Sequence, residues 1–252
     1  MSMTSTELPE FCEPARSIFI AIPSYSARPV AELMTSLHTA AQCCADVGIE
    51  LHAQVTARDP YLDRVRNYLV TQFISSPATD LLFWDDDVAP VEPDCIVKVA
   101  QARRPFVGGL YPKKMQINYN EDLGKFVGEL EWPSAFKPGA TIDEDGLLEM
   151  VGMPTGFLRL SRCVFDYMPC NFYTDEDLGR KILGYFSTGI HHGQYWGEDS
   201  LFSFEWHRRG GKIFCVPDIT FRHIGMCTWK MNLAEYLKTE RGQLVLTEKS
   251  KS

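Results

Sequence analysis

The sequence predicts an α/β fold in which a mixed sheet is flanked by helices. In the first half of the chain, short apolar runs of strand length alternate with segments in which apolar residues recur at the helical period. In the second half, short runs separated by Pro, Gly and Asp indicate antiparallel strands added to the same sheet. Strands and helices that alternate at this spacing are typical of β-α-β units, whose parallel strands carry helices on both faces.

In the first half of the chain, predicted strands alternate with predicted helices. SIFIAI (17–22) predicts a buried parallel strand, and IELHAQV (49–55) a second one. Between them, apolar residues at positions 33, 34, 37, 41 and 44 predict a helix from Val30 that ends at Gly48. YLDRVRNYLVTQFI (61–74) predicts a second helix, with apolar residues on one face. DLLFW (80–84), a helix over 93–103 and PFVGGLY (105–111) follow.

The second half is less regular. KFVGELEW (125–132) and LLEMVGM (147–153) are the expected antiparallel strands, and GFLRLS (156–161) and RCVFDYM (162–168) predict a strand and a short helix. The segment GYFSTGIHHGQYWG (184–197) is rich in Gly and aromatic residues and predicts a mobile loop. A helix over 198–209 and the strands KIFCV and ITFRHI complete the pattern. We expect one domain over 17–240, with flexible tails at 1–16 and 241–252.

Composition narrows the functional classes. The 252 residues carry a formal net charge of −8, which weakly disfavours a nucleic-acid partner without excluding a basic cleft. The eight cysteines include no CxxC pair, so reduced thiols are expected and a zinc site is not. Neither a transmembrane run nor a signal pattern is found, and a cytoplasmic location is expected.

Three consecutive carboxylates follow a strand of apolar residues in LLFWDDDV (81–88). Ligands of open α/β sheets bind at the carboxyl ends of the parallel strands, where Asp85, Asp86 and Asp87 are expected. In an extended segment Asp85 and Asp87 point to the same side, so both could face a divalent cation that also holds phosphate oxygens. In the alternative interpretation, one aspartate caps the following turn and the others are solvated.

Several segments together resemble one family. They are IAIPSY, DRVRN, LLFWDDDV, VGGLYPKK, PTGFLRLSRCVF, WGEDSLFSFEWHRRGGKIFCVPD and FRHIG, spread over residues 17–225. In this order they resemble GT-A glycosyltransferases, and the later segments are similar to the family-two-like and polypeptide N-acetylgalactosaminyltransferase branches. The resemblance implies a GT-A fold, a Rossmann-like mixed sheet that binds nucleotide-diphospho-sugars.

The resemblance implies roles for particular residues. Asp85, Asp87 and His223 would hold Mn²⁺ or Mg²⁺, with Asp87 the more direct ligand, and an imidazole suits manganese better. A histidine bonded to backbone is the alternative for His223. The nucleotide-sugar would be bound by Pro23, Ser24, Tyr25, Arg66, Asn67, Asp85, Asp86 and Gly156.

The resemblance also implies a catalytic carboxylate in the GED segment (197–199). Asp199 would take the proton of the attacking hydroxyl as a general base, with Glu198 as the alternative residue. In the alternative interpretation, Glu198 and Asp199 are acidic residues in the first turn of an ordinary helix, where they interact favourably with the helix dipole and have no catalytic role. The sequence leaves open whether the reaction inverts or retains configuration.

Other side chains are weaker candidates. Trp132, Tyr195 and Trp196 could stack on a sugar, although packing is the more common role of such residues. Lys113 and Lys114 could bind phosphate, but we expect them to be solvated. His191 and His192 could contact a substrate if their loop closes over the site, although we expect a surface role for them.

The resemblance thus implies a metal-dependent glycosyltransferase that moves a sugar from a nucleotide-sugar, with UDP favoured, to an acceptor hydroxyl. The acceptor, whether glycan, lipid, protein or modified base, is left open. A nucleotidyltransferase acting on sugar phosphates should carry a Gly-rich basic loop after its first strand, where this chain has PSYSARP. A glycoside hydrolase would need two paired carboxylates. A non-catalytic sugar- or metal-binding module is the remaining alternative.

Overall fold

The structure is a computed structural model that describes residues 8–57, 59–114, 118–120, 125–127, 132, 136–177, 179–191, 193–225, 228–238 and 243. Its strands are β1 (Ser17–Ser24), β2 (Glu50–Ala57), β3 (Asp80–Trp84), β4 (Val88–Pro90), β5 (Phe106–Gly108), β6 (Asn118–Asn120), β7 (Lys125–Val127), β8 (Leu148–Met150), β9 (Phe157–Ser161), β10 (Asn171–Asp175), β11 (Arg180–Gly184), β12 (Gly189–His191), β13 (Gln194–Trp196), β14 (Ile213–Cys215), β15 (Thr220–Ile224) and β16 (Thr228–Asn232). Its helices are α1 (Ala31–Asp46), α2 (Leu62–Ile74), α3 (Cys95–Gln101), α4 (Arg162–Tyr167), α5 (Glu198–Arg208) and α6 (Leu233–Leu237).

The main sheet has seven strands in the order β2-β1-β3-β9-β5-β14-β8. Strand β1 pairs in parallel with β2 and β3, and β5 pairs in parallel with β14. Strands β9 and β8 run antiparallel to their neighbours. The predicted α/β fold, with a mixed sheet flanked by helices, is confirmed.

Apolar residues pack against both faces of this sheet. One cluster includes Leu69 and Phe73 of α2, and the other includes Leu33 of α1 and Ile96 of α3. Because β1 and β3 are covered on both faces, their residues form continuous apolar runs without alternation. The helix predicted from residue 30 is confirmed as α1, and the residues after it turn at Gly48, whose φ is 75°.

Smaller sheets surround the main one. Strand β15 pairs with β4 and β16, and this places His223 opposite Val88, directly after the carboxylates. Strand β7, expected in the main sheet, instead pairs with β6 in a separate two-stranded sheet.

The segment predicted as a mobile loop over 184–197 contains regular structure, so that prediction was wrong. Strands β12 and β13 form an antiparallel hairpin with Ile190 opposite Tyr195. Trp196 of this hairpin packs edge-on against Phe204 of α5 at a ring distance of 5.3 Å. The two strands thus pack against α5 through a tertiary contact, which a local pattern of apolar residues does not predict.

No helix among the described residues has the length and apolar character needed to cross a membrane. The cysteines within the described ranges are all free thiols.

Candidate functional site

The candidate site lies at one edge of the main sheet, where several strands end together. The carboxylates at 85–87 follow β3, and Ser24 is the last residue of the neighbouring β1. Segment 109–114 follows β5, and Gly156 precedes the antiparallel β9 at the same edge. The backbone N–H of Asp85 donates to the carbonyl of Gly156 at 2.9 Å, which fixes the start of the acidic turn.

Each of the three aspartates has a different partner. Asp85 accepts a hydrogen bond at 3.1 Å from Nη2 of Arg66. Asp86 accepts one at 2.5 Å from the hydroxyl of Ser24. Asp87 forms an ion pair with the ammonium group of Lys114. Asp85 and Asp87 are therefore paired with cationic side chains and Asp86 with a hydroxyl, so the cluster is not simply solvated.

The surroundings shift the acidity of these carboxyl groups in opposite directions. Burial raises the pKa of Asp85, although the guanidinium of Arg66 opposes the rise. Burial also raises the pKa of Asp86. Burial acts in the same sense on Asp87, but His223 and Lys114 outweigh it and lower its pKa. Asp87 is thus the carboxylate of the cluster that the protein holds most firmly in its ionised form.

Arg66 connects this cluster to the GED segment. Its side chain is only 1% exposed and also donates from Nε to Glu198 at 3.1 Å. Burial lowers the pKa of Arg66, but Asp85 and Glu198 outweigh that effect and raise it, so the guanidinium stays charged. We call Asp85, Arg66 and Glu198 the Arg66 bridge. It joins the end of β3 to the first residue of α5.

Asp199, the next residue of α5, has a different environment. Its Oδ1 accepts a hydrogen bond from the N–H of Ser200 at 2.6 Å. Burial raises the pKa of Asp199, and the neighbouring Glu198 adds to the rise. A raised pKa makes a carboxylate a better proton acceptor when it is ionised. Of the two acidic residues, Glu198 is committed to Arg66, whereas Asp199 has no ion pair among the described residues.

Two cavities flank the Arg66 bridge. The smaller one, of about 230 Å³, is lined by residues 23–25, 59, 60, 62, 65 and 85–87. The larger one, of about 680 Å³, is lined by residues 137, 149–153, 195–197, 199, 200, 203, 204 and 207. Asp85 lines the smaller cavity and Asp199 lines the larger. The bridge therefore runs from the wall of one cavity to a residue adjacent to the wall of the other.

The contacts of His223 show whether this residue could bind a metal ion. Its Nδ1 lies 2.7 Å from the carbonyl oxygen of Pro112, and a carbonyl can only accept, so Nδ1 carries the proton. In a neutral imidazole Nε2 then presents a lone pair, and it lies 3.6 Å from Oδ1 of Asp87. Either a proton on Nε2 or a cation between the two groups would give the carboxylate a partner there. Asp87 and His223 are therefore placed to hold a metal ion.

The described residues offer a metal ion two protein ligands, Asp87 and His223, and not a third. Across the described ranges, no group of three or more His, Cys, Asp and Glu side chains is arranged to hold a metal. Oδ1 of Asp85 is occupied by Arg66. A cation such as Mg²⁺ commonly uses one or two protein ligands and completes its shell with water and phosphate oxygens.

Tyr111 is a central residue that the sequence interpretation missed. It is 7% exposed, and its ring packs 5.0 Å from that of His223. Burial raises the pKa of Tyr111 well above its usual value, and Asp85 adds to the rise, so the hydroxyl stays protonated. A Cβ at Gly156 would overlap this hydroxyl, which gives Gly156 a steric role. Segment VGGLYPKK follows β5 at the ligand-binding edge of the sheet, and that position was the available signal.

The remaining candidates divide into two groups. Asn67 bonds the backbone of Tyr185 and Phe186 through both ends of its amide, so its polar atoms hold that segment. Trp132 is buried and packs on Tyr236. These two residues are structural in their observed contacts.

Other candidates do lie at the cavities. Tyr25 borders the smaller cavity with 72% of its surface exposed, and Tyr195 and Trp196 line the larger. His191 lies 6.1 Å, ring to ring, from Trp196. Lys114 is exposed, in line with the expectation that it is solvated, and it also pairs with Asp87. His192 lies outside the described residues.

Comparisons with known proteins give structural similarities alone. No protein-family model and no curated protein matches the chain. Among solved structures, A197 from STIV is similar with 18% identity and a TM-score of 0.45, over 83% of this chain and 86% of that one. GalNAc-T7, in a structure with UDP, GalNAc and Mn²⁺, is similar with 11% identity and a TM-score of 0.48 over 84% of this chain. This chain spans 44% of the GalNAc-T7 chain.

Proposed function

We propose that this protein is a metal-assisted glycosyltransferase that moves a sugar from a nucleoside diphosphate sugar, a UDP-sugar, to an acceptor hydroxyl. The observation that carries the proposal is the Arg66 bridge between two cavities. Asp85 to Asp87 stand at one cavity, where a donor with its metal would bind, and Asp199 stands at the other, where an acceptor would bind. A transfer reaction requires two substrates at adjoining sites.

The smaller cavity has side chains suited to a nucleotide. The exposed ring of Tyr25 offers a stacking surface for the base. Ser24 and Asp86 are hydrogen-bonded to each other beside it and would face the ribose. Asp87 and His223 would hold Mn²⁺ or Mg²⁺, which when bound neutralises the diphosphate as it leaves. Lys114, next to Asp87, would give the diphosphate a second positive charge.

Asp199 would act on the acceptor. In a single displacement, Asp199 takes the proton of the acceptor hydroxyl while the acceptor oxygen forms a bond to the anomeric carbon of the sugar. The bond from that carbon to the diphosphate oxygen breaks, and the nucleoside diphosphate leaves with the electron pair. Arg66 holds Glu198 in an ion pair, so Asp199, which has no ion pair among the described residues, would be the base of the segment.

The first test is calorimetric titration of the protein with UDP, in manganese and then in EDTA, with an Asp87→Ala variant. We expect UDP to bind in manganese. The affinity for UDP should fall about tenfold or more in EDTA, which removes the metal, and in the variant, which loses a metal ligand and so binds the metal more weakly. Asp218→Ala is the matched control, since Asp218 is 60% exposed and pairs only with Lys98 in the described contacts.

The control should bind UDP like the parent protein. Binding of GDP, CDP or dTDP in place of UDP would change the donor base and keep the reaction class. A folded protein that binds none of the four nucleotides in manganese would contradict the proposal. Donor hydrolysis with a panel of nucleotide-sugars then identifies the sugar.

A further inference from the structure

The larger cavity, where the proposed acceptor hydroxyl would bind, is lined mainly by apolar surface. Its floor is the turn after β8, where Met153 is 3% exposed and Val151 is 45% exposed at the rim. Its lining also includes the packed pair Trp196 and Phe204. Asp199 and Glu149 are the carboxylates among the lining residues.

Several polar groups of this cavity are bonded within the protein, whereas the buried Nε2 of His207 has no hydrogen-bond partner among the described residues. The hydroxyl of Ser203 accepts a hydrogen bond from the N–H of Met153 at 3.2 Å. Lys137 and Glu149 form an ion pair with each other at 2.7 Å. A site that selects a free glycan would offer many uncommitted polar groups to its hydroxyls, because hydrogen bonds give orientation and specificity. Here the lining combines a few polar groups, among them Asp199 and His207, with a larger apolar surface.

From this arrangement we propose that the larger cavity binds the acceptor, and that the acceptor carries an apolar group, aromatic or alkyl, beside the hydroxyl that receives the sugar. The inference rests on the proposed function, because it assigns Asp199 to the acceptor. The apolar group lies against Met153, Val151 and the Trp196–Phe204 pair. The hydroxyl then lies at Asp199, next to Glu198 of the Arg66 bridge and so beside the donor side.

The test compares acceptors that differ only in their apolar group. Methyl, hexyl and phenyl glucosides are titrated into the protein with UDP and manganese present, by calorimetry and by saturation-transfer NMR. We expect the hexyl and phenyl compounds to bind about tenfold more tightly than the methyl compound, because they bury more apolar surface.

Two variants locate the site. Val151→Asp places a charge at the rim of the cavity and should weaken phenyl glucoside binding by about fivefold or more, because the apolar group would desolvate it. Ile142→Asp is the matched control, since Ile142 is also 45% exposed and lines neither cavity. It should leave all three affinities unchanged. Thermal unfolding of both variants verifies that they fold.

The outcomes separate the two proposals. If UDP binds but the three glucosides bind equally or not at all, the acceptor assignment is overturned while the transferase proposal stands. Phenyl binding that Val151→Asp leaves intact also overturns it, because the compound then binds elsewhere. If no nucleotide binds and phenyl glucoside still enters the cavity, the transferase proposal fails and the acceptor role fails with it.

Discussion

At Arg66 a single guanidinium links two carboxylates that lie far apart in the sequence. Its Nη2 bonds Asp85 and its Nε bonds Glu198, each at 3.1 Å. A guanidinium presents several donors in a fixed planar fork, whereas the ammonium of lysine concentrates its charge at one point. The side chain also lies over the ring of Phe83, 5.2 Å from its centre, which fixes the fork in place.

We expect replacement of Arg66 to destabilise the folded protein. We expect Arg66→Met to lower the free energy of unfolding by about 3 kcal/mol, because Asp85 and Glu198 lose their common counter-charge. This is the low end for a buried pair, since Asp85 keeps a quarter of its side chain exposed. Urea unfolding measures the change.

The control is Arg64→Met on the same helix. Arg64 is 42% exposed and pairs with Asp59 and Asp175, and an exposed pair contributes about 1 kcal/mol or less. Equal losses in the two variants would contradict the importance of the Arg66 bridge.

Asp199 gives a prediction about pH. Because its folded pKa is raised, its contribution to stability is fully present below the unfolded pKa and is lost as the pH rises through the folded pKa. Asp199→Asn cannot ionise and retains that contribution. We expect the unfolding free energy of Asp199→Asn, relative to the parent, to increase from acidic to neutral pH, while transfer falls about 10²- to 10⁴-fold.

Glu205 on the same helix supplies a control of opposite sign. Hydrogen bonds from Arg208 and Arg209 lower its pKa, so its contribution is present above the unfolded pKa and lost as the pH falls. Glu205→Gln should therefore lose stability at neutral pH. A parent transfer rate that does not rise with pH through an apparent pKa above the usual Asp value of about 3.9 would contradict the base role.

At the scale of elements, the hairpin β12–β13 depends on its contact with α5. Its two strands have three residues each, and a short isolated hairpin is marginally stable in water. Trp196 and Phe204 supply the packing that the strands lack. The local sequence, rich in Gly and aromatic residues, does not identify Phe204 as the partner of Trp196, which explains why a loop was expected.

We expect Trp196→Ala to release the hairpin from α5. Amide hydrogen exchange in residues 189–196 should then accelerate, while exchange in β1 and β3 should not change, because regions open locally with their own free energies. Tyr195→Ala is the control, since Tyr195 is 73% exposed. Unchanged protection in Trp196→Ala would mean that other contacts hold the hairpin.

At the scale of the whole molecule, the sheet contains a buried charge pair. Arg159 of β9 lies between β3 and β5 and reaches Asp80 at 2.6 Å, with both side chains almost fully buried. Arg159 also donates from Nη1 to the carbonyl of Arg104 at 2.5 Å. Burial raises the pKa of Asp80, and Arg159 opposes that rise. The pair fixes the antiparallel strand β9 within otherwise parallel neighbours.

Arg159→Met should lower the free energy of unfolding by about 3–5 kcal/mol, because it leaves Asp80 buried without its counter-charge. The double variant Asp80→Asn with Arg159→Met should recover much of that loss, since no charge then remains unpaired. Denaturant unfolding of both proteins checks this. A double variant as unstable as the single one would show that packing, rather than the charge, is responsible.

The fold could be predicted where a local sequence pattern determines it, and the site could be predicted only in part. Apolar runs predicted β1 and β3, and apolar residues on one helical face predicted α2. The fold class placed Asp85 to Asp87 at the end of a strand, but it did not predict the partners of these carboxylates. Glu198 lies 132 positions from Arg66 in the sequence, and no local pattern encodes a contact of that range. The role of Tyr111 depends likewise on the meeting of three strand ends.

The ion pair between Lys114 and Asp87 has a consequence for ligand cooperativity. On the proposed function, the ammonium group at Oδ2 of Asp87 would repel a divalent cation held between Oδ1 and His223, and this would weaken metal binding when no nucleotide is present. A diphosphate would offer that ammonium group a new partner and so reduce the repulsion. If the protein binds both ligands as proposed, metal and nucleotide would strengthen each other's binding, and linkage requires the two effects to be equal. Lys114 would thus couple the two ligands, because each would bind more weakly in the absence of the other.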